Sequence, residues 1–476
     1  MNTVPQLLAA RAADQPDRTA IRTLGGEELT FGGWRRRSDA VARGLLAGGV
    51  RPGEPVGLVF GGRDWPAFAV ACVGVQKAGA VAVPLAGSLP EAQLGRMLER
   101  CGATRVVRGP AAVAELEDGR DDAPLDTGPA PADLAQIVFT SGTAGDPKGV
   151  GASHANLTYG FRPRARHRPY AHSELFVHAF PIGTNAGQMM LMDSLTAHPA
   201  ALALPMFDAE TFCAQVAEHR AGTVFLIPPM AAELLRSRAY ERHDLSCVLM
   251  VSSSAAALPP ATAQALTRVF PAATVINCYI STESAPARTA MLVDPDRPGS
   301  LGLPADPRDV RILDPAGAEV PSGTVGEVWL RSPAPPRVYV GDHEGTAQTF
   351  RRDGWIRMGD LGHLDDEGYL YLADRESDVV KSGGLKVSTL QVEAALHEHP
   401  AVVEAAVVGV PHAVMGTVVA AAVRTSAEVS QGELKAFLAG RLARHERPVR
   451  IAFVDEFDRT TTGKIVKSRV RELLEK

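Results

Sequence analysis

The sequence is poor in the features that mark several classes of protein. Its 476 residues include only five cysteines, and none lies in a CxxC pair, so neither a disulfide framework nor a zinc site is predicted. No run of 18 apolar residues is present, so no membrane span is expected. The formal charge of -5 lacks the basic excess of a general nucleic-acid binder. The first residues lack the basic and apolar regions of a signal peptide. We therefore expect a reduced, cytoplasmic protein with neither nucleic-acid nor membrane partners.

Aromatic residues are also scarce, at 5%, so the 45% of apolar residues must build cores mainly from Ala, Val and Leu. Strand patterns at 55–60 and 80–85 flank a helix pattern at 64–77 that Asp64 is expected to cap. This alternation predicts a parallel sheet covered by helices. Residues 109–133 are rich in Ala, Pro, Asp and Gly, which favours a surface connection. The length predicts two to four structural units.

Residues 139–149, FTSGTAGDPKG, follow a strand pattern and have the composition of an anion-binding loop. Hydroxyl groups, glycine-freed backbone N–H groups and an ammonium are what a polyphosphate needs. These groups come from Thr140, Ser141, Gly142, Thr143 and Lys148. The GxxxxGK[ST] spacing is absent, which argues against a P-loop NTPase.

The loop resembles the signature phosphate loop of the adenylate-forming superfamily, which comprises acyl- and aryl-CoA ligases, peptide-synthetase adenylation domains and luciferases. Further motifs follow in family order, and the resemblance covers essentially the whole chain. The implied fold has a large layered N-terminal α/β domain with a small β-barrel-like subdomain, residues 1–376. A small mobile C-terminal α+β domain, residues 377–476, is expected to act as a cap.

Residues 277–283, NCYISTE, resemble the family segment NxYGxTE. The resemblance implies that Tyr279 packs on adenine and that Thr282 contacts the α-phosphate, with Asn277 also in the nucleotide site. It implies that Glu283 helps to hold Mg²⁺, as a hard carboxylate oxygen should. Ile280 replaces a family glycine that lies against the acyl substrate, so it is expected to reshape the acid pocket.

Two further segments resemble nucleotide-binding motifs. Residues 251–258, VSSSAAAL, resemble a turn whose backbone lines the adenine pocket, where small residues allow close approach. The matching positions here are Ser254, Ala255 and Ala256. Residues 357–360, RMGD, resemble a TGD motif in which Met358 replaces Thr. The resemblance implies that Asp360 accepts hydrogen bonds from both ribose hydroxyls and that Arg375 also contacts ribose.

The C-terminal part resembles the mobile half of the family's site. Ser377 stands at the hinge position, where a small side chain absorbs a backbone rotation. Gly384 matches the glycine beside a pantetheine tunnel. Lys464, in TTTGKI, matches a lysine that binds the acid's carboxylate and an oxygen near the reacting phosphate. A positive charge there stabilises the transition state, so the implied catalytic set is Lys464, Thr282 and Glu283.

Residues 181–187, PIGTNAG, stand where the family has a PxxHxxG-like segment lining the acid pocket. Thr184 takes the place of a common histidine, and Gly187 is expected to leave room for a bulky apolar acid. Asn185 is predicted to bond either a polar group of the acid or the backbone. The Asp that pairs the ammonium in amino-acid-activating relatives is missing from the matching positions, which favours a non-amino acid.

The sequence therefore predicts an acid–thiol ligase that uses ATP and Mg²⁺ to make an acyl-adenylate and then passes the acyl group to coenzyme A. Its partner would be a small carboxylic acid, and the chain is expected to be a monomer or homodimer. One alternative is a stand-alone acyl-AMP ligase that loads the phosphopantetheine of an acyl carrier protein. Another is a non-catalytic nucleotide-binding relative, favoured by the departures at Thr184, Ile280, Met358 and Asp458.

Overall fold

The computed structural model describes residues 2–125, 128–140, 147–163, 167–256, 258–351, 353–375, 378–382, 385–412, 415–459 and 464–475. The chain up to residue 203 forms α1 (Val4–Asp14), β1 (Thr19–Thr23), β2 (Glu28–Thr30), α2 (Phe31–Ala47), β3 (Pro55–Phe60), α3 (Trp65–Lys77), β4 (Val81–Ala86), α4 (Glu91–Cys101), β5 (Arg105–Arg108), α5 (Gly109–Glu117), β6 (Leu134–Thr140), β7 (Lys148–Ser153), α6 (His154–Leu157), β8 (Leu175–His178), α7 (Asn185–Thr196) and β9 (Ala200–Ala203).

The chain after residue 203 adds further elements to the two large sheets and forms two smaller sheets. They are α8 (Ala209–Glu218), β10 (Thr223–Leu226), α9 (Pro228–Ser237), β11 (Met250–Ser253), α10 (Pro260–Val269), β12 (Thr274–Tyr279), β13 (Thr289–Leu292), β14 (Leu303–Pro304), β15 (Val310–Leu313), β16 (Gly326–Arg331), β17 (Val338–Tyr339), α11 (His343–Thr349), β18 (Trp355–Leu364), β19 (Leu370–Arg375), β20 (Val380–Ser382), β21 (Leu385–Val387), α12 (Thr389–His397), β22 (Val402–His412), β23 (Gly416–Thr425), α13 (Gln431–Ala439), β24 (Arg450–Phe453) and α14 (Lys467–Glu475).

Two large sheets form the first part of the molecule. One has the order β14-β13-β12-β11-β10-β8-β9-β1-β2 and the other β17-β7-β6-β4-β3-β5. The strands from β9 through β8, β10 and β11 to β12 are parallel, as the strand–helix alternation predicts. Helix α3 is buried along its whole length, because its sequence is apolar on every side. One continuous core contains residues from both large sheets and from α1, α2, α3 and α7.

Two details of the predicted elements are wrong. Asp64 precedes α3 but makes no side-chain cap bond; its carboxylate instead accepts a hydrogen bond from the backbone N–H of Gly61 at 2.9 Å. The stretch expected to be a surface connection begins with helix α5, which packs Val113 into the main core. Alanine-rich composition suits both a connection and a helix, and here Ala112 and Leu116 also pack against that core.

The remaining sheets are smaller. The unit expected to be barrel-like is an antiparallel sheet of order β15-β16-β18-β19. Its last hairpin turns at Gly368, whose φ of +85° favours glycine. The C-terminal sheet has the order β21-β20-β23-β22, with β24 parallel to β23. Within the described ranges, every helix is too short or too polar to cross a membrane.

Candidate active site

The phosphate-loop segment is held at both ends by an antiparallel hairpin. Thr140, the last residue of β6, pairs with Lys148, the first residue of β7. The tip between them, with Ser141, Gly142 and Thr143, lies outside the described residues, as do Ser377 and Gly384. The Lys148 ammonium lies 3.5 Å from the carboxylate of Asp342 and 4.6 Å from the ring centre of Tyr339. The predicted cation is therefore anchored beside the loop.

Tyr339 links the lysine of this loop to the proposed metal-binding carboxylate. The ammonium of Lys148 lies over the Tyr339 ring, and the Tyr339 hydroxyl donates a hydrogen bond to Oε1 of Glu283 at 3.0 Å. Burial raises the pKa of Tyr339, and the Glu283 carboxylate raises it further, so the phenol stays protonated and remains a donor. No sequence motif pointed to this residue, although it stands in a short strand pattern, RVYV.

Arg337, two residues before Tyr339, was also missed and organises the other side of the site. Its guanidinium donates to the carbonyl oxygen of Thr282 at 2.8 Å, to Oδ1 of Asn156 at 3.0 Å and to Oδ1 of Asn185 at 3.3 Å. Burial lowers its pKa to about 10, and the nearby Glu283 opposes that shift. Arg337 therefore remains charged and joins α6, α7 and the segment that carries Thr282.

The predicted ribose-binding residues lie together. The Tyr279 hydroxyl donates to Oδ2 of Asp360 at 2.5 Å, and Nε of Arg375 lies 3.4 Å from Oδ1 of the same carboxylate. Burial raises the pKa of Asp360, and the positive charge of Arg375 counters that effect. Tyr279 also packs against the apolar cluster of the small antiparallel sheet. Its stacking on adenine stays a prediction.

The strand ends beside this carboxylate contain unsatisfied polar atoms. Ser253 and Asn277 are paired neighbours on β11 and β12, and both are buried. Within the described part of the chain, Oγ of Ser253 and Oδ1 of Asn277 have no hydrogen-bond partner. Such groups are rare in folded proteins, and an amide oxygen is a suitable acceptor for the amino group of adenine. The following turn places Ala255 at a φ of +74°, between Ser254 and Ala256.

Lys464 approaches the same region from the C-terminal part of the chain. Burial lowers its pKa to about 8, and the positive charge of Arg375 acts in the same direction. The carboxylates of Asp360 and Glu283 oppose this shift, which means that all three groups lie within electrostatic range of the ammonium. The structure therefore places the predicted lysine within electrostatic range of the predicted ribose and metal residues.

Several residues predicted to line the acid pocket make structural contacts within the protein instead. Thr184 caps α7: its hydroxyl accepts from the N–H of Gly187 at 3.0 Å and donates to the Pro181 carbonyl at 2.8 Å. A Cβ on Gly187 would lie 2.2 Å from that same carbonyl oxygen, so the space expected for the acid is filled by backbone. Asn185 bonds Arg337 rather than backbone. Ile280 is half-buried beside Thr282.

A magnesium ion bound at this site would have one protein carboxylate as a ligand, that of Glu283. Within the described ranges, no group of three or more His, Cys, Asp or Glu side chains could hold a metal. Mg²⁺ is commonly bound through one or two carboxylates together with substrate phosphates. Glu283 fits that role, because a carboxylate that accepts one bond from Tyr339 keeps further lone pairs.

The chain is similar to known AMP-binding enzymes. Residues 8–340 match the model of the AMP-binding enzyme family and residues 391–464 that of the AMP-binding enzyme C-terminal domain. A feruloyl-CoA synthase from an Amycolatopsis species is 32% identical over 484 aligned positions, covering 97% of each chain. A 4-coumarate–CoA ligase from Pinus taeda is 27% identical, covering 92% of this chain and 88% of the relative. Among solved structures, ATP-bound MatB from Rhodopseudomonas palustris is 27% identical with a TM-score of 0.88, covering 100% of this chain and 99% of that one.

Proposed function

The chain belongs to the AMP-binding enzyme family, and on that premise we propose that it is an acid–thiol ligase acting on a non-amino carboxylic acid. In the first step the acid and ATP form an acyl-adenylate and pyrophosphate. In the second step the acyl group passes to the thiol of coenzyme A and AMP is released. The observation that carries this proposal is the cluster in which Tyr279 and Arg375 contact the Asp360 carboxylate. The ammonium of Lys464, from the C-terminal part, lies within electrostatic range of Asp360 and Glu283.

The first step needs positive charge rather than a base. A carboxylic acid is already ionised near pH 7, so its oxygen attacks the α-phosphorus directly and the bond to the pyrophosphate oxygen breaks. Lys464 binds the acid's carboxylate and a phosphate oxygen, where its ammonium stabilises the charge that develops in the transition state. Thr282 contacts the α-phosphate, and Lys148 with the loop that it closes holds the outgoing pyrophosphate.

The nucleotide is oriented by groups on or next to β11, β12, β18 and β19. Asp360 accepts the ribose hydroxyls, assisted by Arg375, and Asn277 accepts a hydrogen bond from the adenine amino group. The turn at Ser254, Ala255 and Ala256 lines the base through its backbone. A Mg²⁺ ion held by Glu283 would neutralise phosphate charge.

The second step requires the C-terminal part to move. Residues 377–476 rotate as a cap about a hinge at Ser377, a change that a few backbone dihedral angles can absorb. Rotation carries Lys464 away and opens a route past Gly384, so that the thiol sulfur attacks the acyl carbonyl and AMP leaves. Coenzyme A is favoured as acceptor because the relatives described above include a feruloyl-CoA synthase and a 4-coumarate–CoA ligase. The same names favour an aryl or arylpropenoic acid.

The test is ATP–pyrophosphate exchange over a panel of aliphatic, aryl and polycyclic acids, followed by thioester assays with coenzyme A and with a phosphopantetheinylated carrier protein. Exchange with an aryl acid and transfer to coenzyme A is the expected result. Transfer to the carrier protein alone would identify a carrier-loading acyl-AMP ligase. ATP binding without exchange for any acid would overturn the proposal in favour of a non-catalytic nucleotide-binding protein.

A further inference from the structure

Strand β17 lies at the edge of its sheet, directly beside the phosphate-loop hairpin. Tyr339 pairs in register with Val150 of β7, and the N–H of Val340 donates to the Gly149 carbonyl at 2.9 Å. Strand β7 begins at Lys148, the cation of the phosphate loop. Backbone pairing therefore fixes β17 relative to the end of that loop.

Two side chains reach from this short stretch to consecutive residues of the segment after β12. The Arg337 guanidinium donates to the Thr282 carbonyl at 2.8 Å. The Tyr339 hydroxyl donates to Oε1 of Glu283 at 3.0 Å. Residues two apart in an extended chain point to the same side, which is why both side chains reach one segment. The strand that pairs with the phosphate-loop hairpin through its backbone thus holds Thr282 and Glu283 through its side chains.

Arg337 is itself held in place by a buried amide. Its Nε donates to Oδ1 of Asn156 at 3.0 Å, and both residues are buried. The amide nitrogen of Asn156 donates in turn to the carbonyls of Ala285 at 3.2 Å and Pro335 at 2.8 Å. Ala285 follows Thr282 by three residues, on the same segment. Asn156 and Arg337 therefore join the same two segments at two points, so neither segment can shift along the other without breaking hydrogen bonds.

The ring of Tyr339 is confined on several sides. Its backbone N–H donates to Oγ1 of Thr346 at 3.0 Å, and its ring packs edge-on against Phe350 at 5.3 Å between centroids. The ammonium of Lys148 lies over the same ring, 4.6 Å from its centre. A ring held in this way keeps its hydroxyl directed at Glu283, so little further ordering is needed when ATP binds.

We propose that Arg337 and Tyr339 are positioning residues of the adenylation step. This inference rests on the proposed function, in which Thr282 contacts the α-phosphate, Glu283 holds Mg²⁺ and Lys148 lies beside the departing pyrophosphate. These three groups must match the spacing of one triphosphate, although they come from two separate segments of the chain. Arg337 and Tyr339 set that spacing, because they bind one segment through their side chains and belong to the strand that pairs with the other.

The spacing matters more for the first step than for the second. A displacement of about 1 Å costs roughly 100-fold in rate when reacting groups must be aligned, as they must be for in-line attack on the α-phosphorus. In the second step the bond that breaks is at the acyl carbonyl, and pyrophosphate has already left. A loss of positioning should therefore appear mainly in acyl-adenylate formation, whereas a loss of folded protein would lower both steps equally.

The first test uses Arg337→Met, which removes the donors, and Arg337→Lys, which keeps the charge but not the planar fork. Pyrophosphate exchange with the best acid of the panel should fall roughly 100-fold in Arg337→Met and less in Arg337→Lys. Thioester formation from supplied acyl-adenylate should fall only slightly in either variant. Arg268→Met, at an exposed position of α10, should match wild type in both assays. Equal loss of both steps, or unchanged exchange, overturns the role of Arg337.

A double-variant cycle shows whether Arg337 acts through Thr282. Thr282→Val alone should slow exchange roughly tenfold or more, because it removes a hydrogen bond to a charged phosphate. In the Arg337→Met background the same change should have little further effect, since residues that act as one unit are not additive. Losses that simply multiply would show that the two residues act independently, against the inference.

The second test uses Tyr339→Phe, which removes only the hydroxyl that directs Glu283. Calorimetry of ATP binding over a series of Mg²⁺ concentrations should show that this variant needs severalfold more Mg²⁺ for the same affinity. Tyr159→Phe, at an exposed tyrosine, should need no more than wild type. An unchanged Mg²⁺ requirement in Tyr339→Phe overturns the inference. If no acid supports exchange in wild type, the proposed function fails, and a raised requirement in Tyr339→Phe would still leave the positioning of Glu283 standing.

Discussion

Thr389 donates both its backbone N–H and its hydroxyl to the carboxylate of Asp374, the hydroxyl bond measuring 3.2 Å. Asp374 lies in β19, before the predicted hinge, and Thr389 opens α12, after it. Lys467 of α14 in turn donates to the Thr389 hydroxyl at 3.0 Å and lies 3.1 Å from the carboxylate of Glu393. These bonds fasten the C-terminal part to the large part in the orientation that brings Lys464 to the site.

Thr389→Pro should weaken the contact between Asp374 and α12. Proline is tolerated at the first position of a helix, so α12 should persist while the buried Asp374 loses two donors. A buried acceptor left unsatisfied costs about 1–3 kcal/mol. We expect acyl-adenylate formation to slow, thioester formation from supplied acyl-adenylate to be spared, and the melting temperature to fall. Thr389→Val, which keeps the N–H, should give a smaller effect, and Thr324→Val in an exposed turn none. Equal loss of both steps would contradict this role.

Lys464→Ala should slow acyl-adenylate formation by roughly 100-fold or more, the scale of removing one preorganised transition-state partner. Thioester formation from supplied acyl-adenylate should be nearly unchanged, because Lys464 acts only in the first step. Stopped-flow measurement of each half-reaction separates the two. Lys435→Ala, at a lysine of α13 in the same C-terminal part, serves as the control. The assignment fails if both half-reactions lose activity together.

Alkaline pH should remove the charge on which the first step depends. The pKa of Lys464 is lowered to about 8 by burial and by Arg375, so the ammonium is present below that pH and is lost as pH rises through it. The kcat/KM for ATP reports ionisations of the free enzyme and should fall above about pH 8. In Lys464→Arg the guanidinium stays protonated, so the alkaline fall should vanish. A fall that persists in this variant would point to another group.

Asp360→Asn should weaken nucleotide binding through the sugar. Hydrogen bonds to a charged acceptor contribute about 1.5–3 kcal/mol, so the Kd for ATP should rise by roughly 10- to 100-fold. Wild type should discriminate strongly against 2′,3′-dideoxy-ATP, and the variant should not. Calorimetry with both nucleotides gives the comparison, and Asp366→Asn on an exposed turn should behave as wild type. If Asp360→Asn still discriminated against 2′,3′-dideoxy-ATP, the ribose would have to bind elsewhere.

Ile280→Gly should change which acids are activated. Ile280 is half-buried and lies two residues before Thr282, so under the proposed function its side chain would narrow the space next to the reacting carboxylate. Removing it should raise the relative kcat/KM for acids branched or substituted near the carboxyl group by at least severalfold, since one extra methylene is worth about 1–3 kcal/mol of selectivity. The same acid panel measures this. An identical order of preference in both proteins would place Ile280 outside the pocket.

The sequence predicted best where one residue type is required by chemistry. Motifs identified Asp360, Arg375, Glu283 and Lys464. Arg375 contacts Asp360 and Lys464 lies within electrostatic range of the other three, while their roles in binding and catalysis stay predictions. The strand pattern at 55–60 matched β3 residue for residue, because a fully buried strand leaves no polar alternative.

Sequence patterns did not predict contacts between residues that are far apart in the chain. Arg337 is more than 150 residues from Asn185, and no local pattern announces that contact. Gly187 looked like empty space for a ligand, whereas the Pro181 carbonyl takes that space. The role of a small residue depends on what packs over it, and a spacing rule does not contain that information.

Arg375 is both the last residue of β19 and a partner of the Asp360 carboxylate, and the chain leaves it directly for the predicted hinge. The ribose of the nucleotide would thus be bound directly beside the hinge. A rotation that shifts Arg375 must alter the affinity for the nucleotide, and by reciprocity nucleotide occupancy must bias the rotation by the same free energy. If ATP and the acyl-adenylate bind the two orientations with different affinities, conversion of one into the other shifts the balance between the orientations.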